Sequence, residues 1–180
     1  MPELPEVETV RQGLIPVMND KTILKVDQLR PDLRYPLPQN MPSRLENSKI
    51  LNIMRRSKYL LFDLSSLETL IIHLGMSGRL MAIGVANQGR NSSSNLNCST
   101  QKRNKHDHII IHLDSGIKIV YNDPRRFGAM DIIETKKIYK HKWLKNLGPE
   151  PFSNDFSSHY LYEKLQNRKS AIKTALLDQA

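Results

Sequence analysis

The chain has 180 residues, of which 39% are hydrophobic and 25% charged, and this balance excludes an intrinsically disordered polymer while leaving room for one sizeable core and a small appendage. Its formal net charge of +9 points to a polyanionic partner, most simply nucleic acid. Cys98 is the only cysteine, so an intramolecular disulfide and a Cys-x-x-Cys zinc site are both excluded. No apolar run reaches membrane-spanning length and the acidic start has no signal-peptide pattern, so a cytoplasmic or nucleoid setting is expected.

The chain begins MPELPEVET. Removal of Met1, usual before a small residue, would leave Pro2 with a secondary amine. A free α-amino group titrates near ~7.7–8.0, so a useful fraction is neutral and nucleophilic at physiological pH. Attack on an aldehyde-level carbon would give an iminium, which acts as an electron sink. Glu3 places a carboxylic acid beside that amine, suited to general acid catalysis. Glu6 follows one turn on, and either orients the amine or a water or complements the helix dipole. Standing alone, Pro2 could equally be an ordinary second residue and Glu3 an ordinary solvated acid.

Pro5 to Met18 reads as a helix, with proline in its first turn and Val7, Val10, Leu14 and Met18 as one apolar stripe. Strand-like runs follow at 22–29, 49–55, 59–64, 69–74, 79–83, 108–113, 117–121 and 129–134. Asp114-Ser115-Gly116 marks a hairpin turn between two of them. Many short strands at this spacing predict a β-sandwich or barrel. The stretch 84–105 is rich in Asn, Ser and Gly, contains Cys98, and reads as a disordered loop insertion. Residues 136–147 read as a helix ended by Gly148-Pro149, LGPEP as a linker, and 155–167 and 170–179 as two further helices.

Seven blocks in order, MPELPEVET, RRSKYLL (55–61), IIHLGMSG (71–78), KHDH (105–108), DPRRFGAM (123–130), LGPEP (147–151) and KSAIK (169–173), resemble the bacterial formamidopyrimidine-DNA glycosylase family. The resemblance covers nearly the whole chain. It implies a mainly β fold with flanking helices: a two-layer β-sandwich catalytic domain over 1–135, a helix and linker over 136–152, and over 153–180 the truncated beginning of a helix–two-turn–helix DNA-binding domain. The rest of that module and the family's zinc finger lie outside these residues, so no cofactor and no metal ligand is expected in this chain.

The resemblance also assigns roles. It makes Pro2 the nucleophile at C1′ of the sugar, Glu3 the acid that protonates the ring oxygen, and Lys58 a site residue that contacts phosphate and assists elimination; Glu6 is carried as a fourth catalytic candidate. Met76, Arg125 and Phe127 are implied to fill the gap left by an extruded base, a job suited to a flexible wedge, a planar cation and an aromatic ring. Taken alone, DPRRFG would be a basic turn and Met76 a core residue. His106 matches a phosphate-contacting position, and His-x-His without a third ligand is weak for metal. Arg168 stands at a DNA-binding position usually held by Lys, which keeps the charge and changes the shape. Lys173 matches a residue near the damaged base.

The expected activity is a bifunctional glycosylase and abasic-site lyase on oxidised purines in duplex DNA, with damaged double-stranded DNA as partner, no membrane association and a monomeric state. The alternatives are an endonuclease VIII-type enzyme for oxidised pyrimidines and a non-catalytic DNA-binding fragment. A general RNA-binding protein lacks support, because no aromatic-rich RNP-like motif is present.

Overall fold

Val7, Leu14 and Met18 are buried along one face of α1 (Leu4–Met18), as the apolar stripe requires, and Val10 packs at its margin. The computed structural model describes residues 3–84 and 104–177. After α1 come β1 (Ile23–Gln28), α2 (Met41–Leu45), β2 (Ile50–Arg56), β3 (Tyr59–Leu64), β4 (Glu68–His73), β5 (Arg79–Ile83), β6 (Asp107–Leu113), β7 (Lys118–Asn122) and β8 (Ala129–Glu134). All strand pairings are antiparallel, in two four-stranded sheets ordered β1-β6-β7-β5 and β2-β3-β4-β8.

Period-two alternation builds the interior of the sandwich. Leu60, Phe62 and Leu64 from β3, Leu70 and Ile72 from β4, and Met130 and Ile132 from β8 supply one layer. Ile109, Ile111 and Leu113 from β6 and Ile119 and Tyr121 from β7 supply the other, and α1 adds Val7, Leu14 and Met18 to the same cluster. The expected two-layer sandwich with flanking helices is the observed architecture, with strand limits within a residue or two of those read from the sequence.

Two edge strands meet at a corner. Thr22 and Lys49 form an isolated bridge, and Ile23 N–H donates to the Ser48 carbonyl at 2.9 Å, so β1 of one sheet runs on from β2 of the other. Each of these strands carries a register shift there, between Ile23 and Lys25 and between Ile50 and Asn52, and the residues at the shifts, Leu24 and Leu51, are exposed.

The chain divides into two units, Met1–Lys136 and Lys137–Ala180. In the second, the expected helix over 136–147 is corrected to a 3-10 helix, Thr135–Lys140, followed by turns. Its ladder steps by three: His141 N–H to Ile138, Leu144 N–H to His141 and Leu147 N–H to Leu144 carbonyls. The buried residues Ile138, His141 and Leu144 repeat at that interval, which suits three residues per turn rather than 3.6. α3 (Ser158–Leu165) is shorter than the predicted 155–167 because Ser157 caps it, its hydroxyl accepting the Tyr160 N–H at 3.0 Å. α4 (Ile172–Leu176) is likewise shorter than 170–179. The insertion expected at 84–105, Cys98 included, falls outside the described residues except for its two ends.

Candidate functional site

One end of the sheet β2-β3-β4-β8 collects three of the sequence blocks. Arg56 pairs with Tyr59, Tyr59 with His73 and His73 with Ala129, so a single row crosses the sheet at this end. Beyond the row project the Ser57-Lys58 turn, the Leu74–Gly78 turn and the Asp123–Gly128 loop. Ser57 takes a left-handed φ of 51°, which a tight two-residue hairpin turn demands, and Lys58 is presented at the tip.

Helix α1 is fastened to the same end. The Glu8 carboxylate accepts from Arg11 at 2.7 Å and from Arg55 Nε at 3.1 Å, while Arg11 also donates to the Ile53 carbonyl of β2 at 3.0 Å. The Arg11 guanidinium holds the Glu8 carboxyl down at about 2, against partial burial, with Gln12 and Arg55 adding to the effect. Arg55 also donates to the Ser57 carbonyl at 2.9 Å. One guanidinium therefore ties the first turns of α1 to the turn that carries Lys58. In the sequence Arg55 stands out only as part of the RRSKYLL block.

At the start of α1, Glu3 is the N-cap, and its backbone N–H donates to the Glu6 carboxylate at 3.0 Å. Glu6 thus holds the helix entry at the peptide that follows Pro2. Pro2 itself lies outside the described residues.

His73 is the site residue that the sequence reading quoted without assigning a role. Burial first, then the charges of Lys58 and Arg34, push its imidazole below the ordinary histidine value. Its Nδ1 accepts the Gly75 N–H at 3.1 Å, so the neutral ring carries its proton on Nε2. The Tyr59 ring packs against it at 4.9 Å between centroids. Lys58 and Arg34 lend positive charge to the surroundings of the His73 ring, whose Nε2 is left as a donor. The sequence signal was present, a histidine ending a strand just before a glycine turn, but it is shared by many structural histidines.

Met76 and Phe127 are exposed, at 43% and 41%. The Arg125 guanidinium lies 4.7 Å over the Phe127 ring centre. The two loops that bear them touch at backbone level. A Cβ on Gly75, which has a φ of +66°, would come within 2.3 Å of the Phe127 carbonyl carbon. The Arg34 N–H donates to the Gly128 carbonyl at 3.1 Å, which brings the loop after β1 alongside.

His106 joins this end through its backbone, its carbonyl accepting the Asp123 N–H at 3.0 Å. His108 is buried with Nε2 2.8 Å from the Asp123 carbonyl, a structural contact. Among the described residues no three His, Cys, Asp or Glu are grouped to hold a metal ion. Arg168 and Lys173 belong to the second unit: Arg168 follows α3 and donates to the Lys164 carbonyl at 3.0 Å, and Lys173 lies on α4. No helix among the described residues is long and apolar enough to cross a membrane.

The formamidopyrimidine-DNA glycosylase N-terminal domain family matches residues 1–130. Formamidopyrimidine-DNA glycosylases of Dinoroseobacter shibae and of a Ruegeria species are 52% and 49% identical over 179 residues. Those alignments cover 99% of this chain and 61% of each relative, so the chain spans about three-fifths of their length. Among solved structures, the Lactococcus lactis Fpg in complex with DNA containing an abasic site superimposes with a TM-score of 0.83 at 30% identity, and its complex with N7-benzyl-Fapy-dG DNA with 0.82 at 31%. Each covers 99% of this chain and 61% of the solved one.

Proposed function

Because this chain belongs to the formamidopyrimidine-DNA glycosylase family, we propose that it acts in base excision repair on damaged duplex DNA, removing oxidised purines such as 8-oxoguanine and formamidopyrimidines and then cutting the strand as an abasic-site lyase. The observation that carries this reading is the gathering, at one sheet end, of the Lys58–His73–Arg34 cluster and the exposed trio Met76, Arg125 and Phe127. A base must leave the stack before C1′ can be reached, which costs a few kcal/mol. An aromatic ring stacked with a guanidinium and backed by a flexible thioether offsets that cost by filling the gap.

In the proposed reaction the Pro2 amine, freed by loss of Met1, attacks C1′ as Glu3 protonates the ring oxygen, and the base departs. The iminium then acidifies the C2′ hydrogen, allowing β- and then δ-elimination. Glu6 keeps the nucleophile's peptide at the head of α1, and the Glu8–Arg55–Ser57 chain keeps Lys58 in register with it. Lys58 and His73 hold a phosphate next to the damaged nucleotide. His106, Arg168 and Lys173 supply further DNA contacts.

Borohydride trapping on a duplex with an abasic site tests this. A covalent complex is expected, lost in Pro2→Gly. Glu3→Gln should lower excision of 8-oxoguanine by about 10²-fold, the usual scale of acid catalysis, and lyase action on a preformed abasic site much less. Trapping at full yield after the N-terminal amine is blocked would overturn the assignment. Binding without trapping would leave a DNA-binding protein, and preference for an oxidised pyrimidine would move it to the endonuclease VIII branch.

A further inference from the structure

Met76 stands on one loop and Arg125 and Phe127 on another, so they can enter DNA as one body only if the two loops are held in fixed relation. We propose that Asp123 is the positioning residue that does this, and that its carboxylate sets how effectively the trio unstacks a duplex; the inference rests on the reading of Met76, Arg125 and Phe127 as the intercalating set.

Asp123 is 0% exposed, yet its neighbours make it a crossing point rather than a buried charge without purpose. One carboxylate oxygen accepts the Ser77 hydroxyl. The other accepts the Gly128 N–H at 2.8 Å and the Tyr121 hydroxyl at 3.2 Å. The Ser77 oxygen, its hydrogen spent on Asp123, accepts the Arg125 N–H at 3.2 Å. Ser77 follows Met76 and Gly128 follows Phe127. Every member of the trio therefore lies within one residue of a bond to Asp123 or to the hydroxyl that Asp123 orients. Such a relay polarises along its length, and the Tyr121 and Gly128 donors are buried with it.

The backbone of Asp123 is fixed as well. Its N–H donates to the His106 carbonyl, and its own carbonyl accepts from His108 Nε2 and from the Arg126 N–H at 3.2 Å. Arg126 is bent to a left-handed φ of 57°, a conformation unfavourable for a side-chain-bearing residue and held here by its surroundings. Tyr121 fills the floor: its hydroxyl lies where a Cβ on Gly78 or Gly128 would fall, and burial, then the Asp123 charge, raises its pKa far above the ordinary phenol range.

Asp123→Asn keeps the volume and, through its amide oxygen, the Tyr121 and Gly128 bonds, but its NH2 makes the Ser77 hydroxyl turn to accept, so the charge and the Ser77 donor bond are lost. Ser77→Ala leaves the Tyr121 and Gly128 bonds, frees the Arg125 N–H and takes from Asp123 the hydroxyl donor to its first oxygen. The experiment follows 2-aminopurine placed opposite a non-cleavable abasic analogue in duplex DNA, at saturating protein, with a urea midpoint for every variant. Since misplacement of a working group by about 1 Å can cost ~10²-fold, Asp123→Asn and Ser77→Ala are expected to slow the fluorescence rise by roughly tenfold or more, alongside a similar loss in Arg125→Ala. If Arg125→Ala slows unstacking while neither Asp123→Asn nor Ser77→Ala does, the positioning role is overturned and the intercalation reading stands. If Arg125→Ala has no effect, both fall. Should Asp123→Asn not fold, Ser77→Ala decides in either direction. Recovery of the Asp123→Asn rate on adding a stabilising osmolyte would reduce the residue to a structural one and overturn the proposal.

Discussion

The two units of this chain meet the demands of folding in opposite ways. In the first, strands rich in Leu, Ile and Val bury Leu60, Phe62, Ile72 and Ile119 almost completely, and even the polar hub of the loops is sealed. In the second, α3 and α4 have no buried residue, and Phe152, Tyr162, Ile172 and Leu176 are exposed, Phe152 at 94%. Helices of eight and five residues are too short to persist on propensity alone, since nucleation is costly and most helical stability comes from packing. The contrast teaches where rigidity lies: the groups proposed for chemistry and for opening the duplex sit on the part that carries its own core.

Core truncation sharpens that contrast most. Phe62→Ala should cost about 3–5 kcal/mol by urea denaturation, while Leu176→Ala should stay within about 0.5 kcal/mol. Hydrogen exchange on the same samples should find β3 and β4 amides protected and those of α3 and α4 exchanging quickly. Equal costs for the two substitutions would break the comparison.

An intermediate effect is expected at the joint between α1 and β2. Glu8→Gln should cost about 1–2 kcal/mol, solvent screening at this partly exposed pair keeping it below a sealed one. Because the folded Glu8 carboxyl sits at about 2 against an ordinary 4.5, its contribution is complete above pH 4.5 and drains away as pH falls toward 2. The substituted chain should lose that part of its acid sensitivity, read as a flatter urea midpoint against pH.

The smallest effect belongs to His73. Its folded pKa is pushed below 6.5, so between the folded value and 6.5 the unfolded chain binds the proton more readily. Its contribution to stability is full above pH 6.5 and declines as pH drops below it. His73→Gln should remove that shallow slope between pH 7 and 5.5, and an unchanged slope would show that the buried imidazole is not its source.

Much of this was legible in the chain itself. Strand runs such as YLLFDL and HIIIHL announce themselves because a buried face repeats every second residue. Lys58, Met76, Arg125 and Phe127 were found through whole motifs, not through any periodic signal. What stayed hidden is single-turn or point-like: α2 is one turn of five residues, and the 136–147 segment carries an apolar interval of three that is easily taken for a helical one. Asp123 and Arg55 were hidden for a further reason. In sequence each is one more charge in a basic stretch, and their importance lies in partners 46 and 47 residues away.

The corner where β1 runs on from β2 has a consequence for life in a crowded solution. An open sheet margin offers unpaired amides and carbonyls to any passing extended chain, which is how ordered aggregates start. Here one margin of each sheet, β1 and β2, is joined to the other by the Thr22–Lys49 bridge, and the irregularities at Leu24 and Leu51 spoil the even spacing that an incoming strand would need. The two exposed leucines therefore sit on ground unsuited to templating.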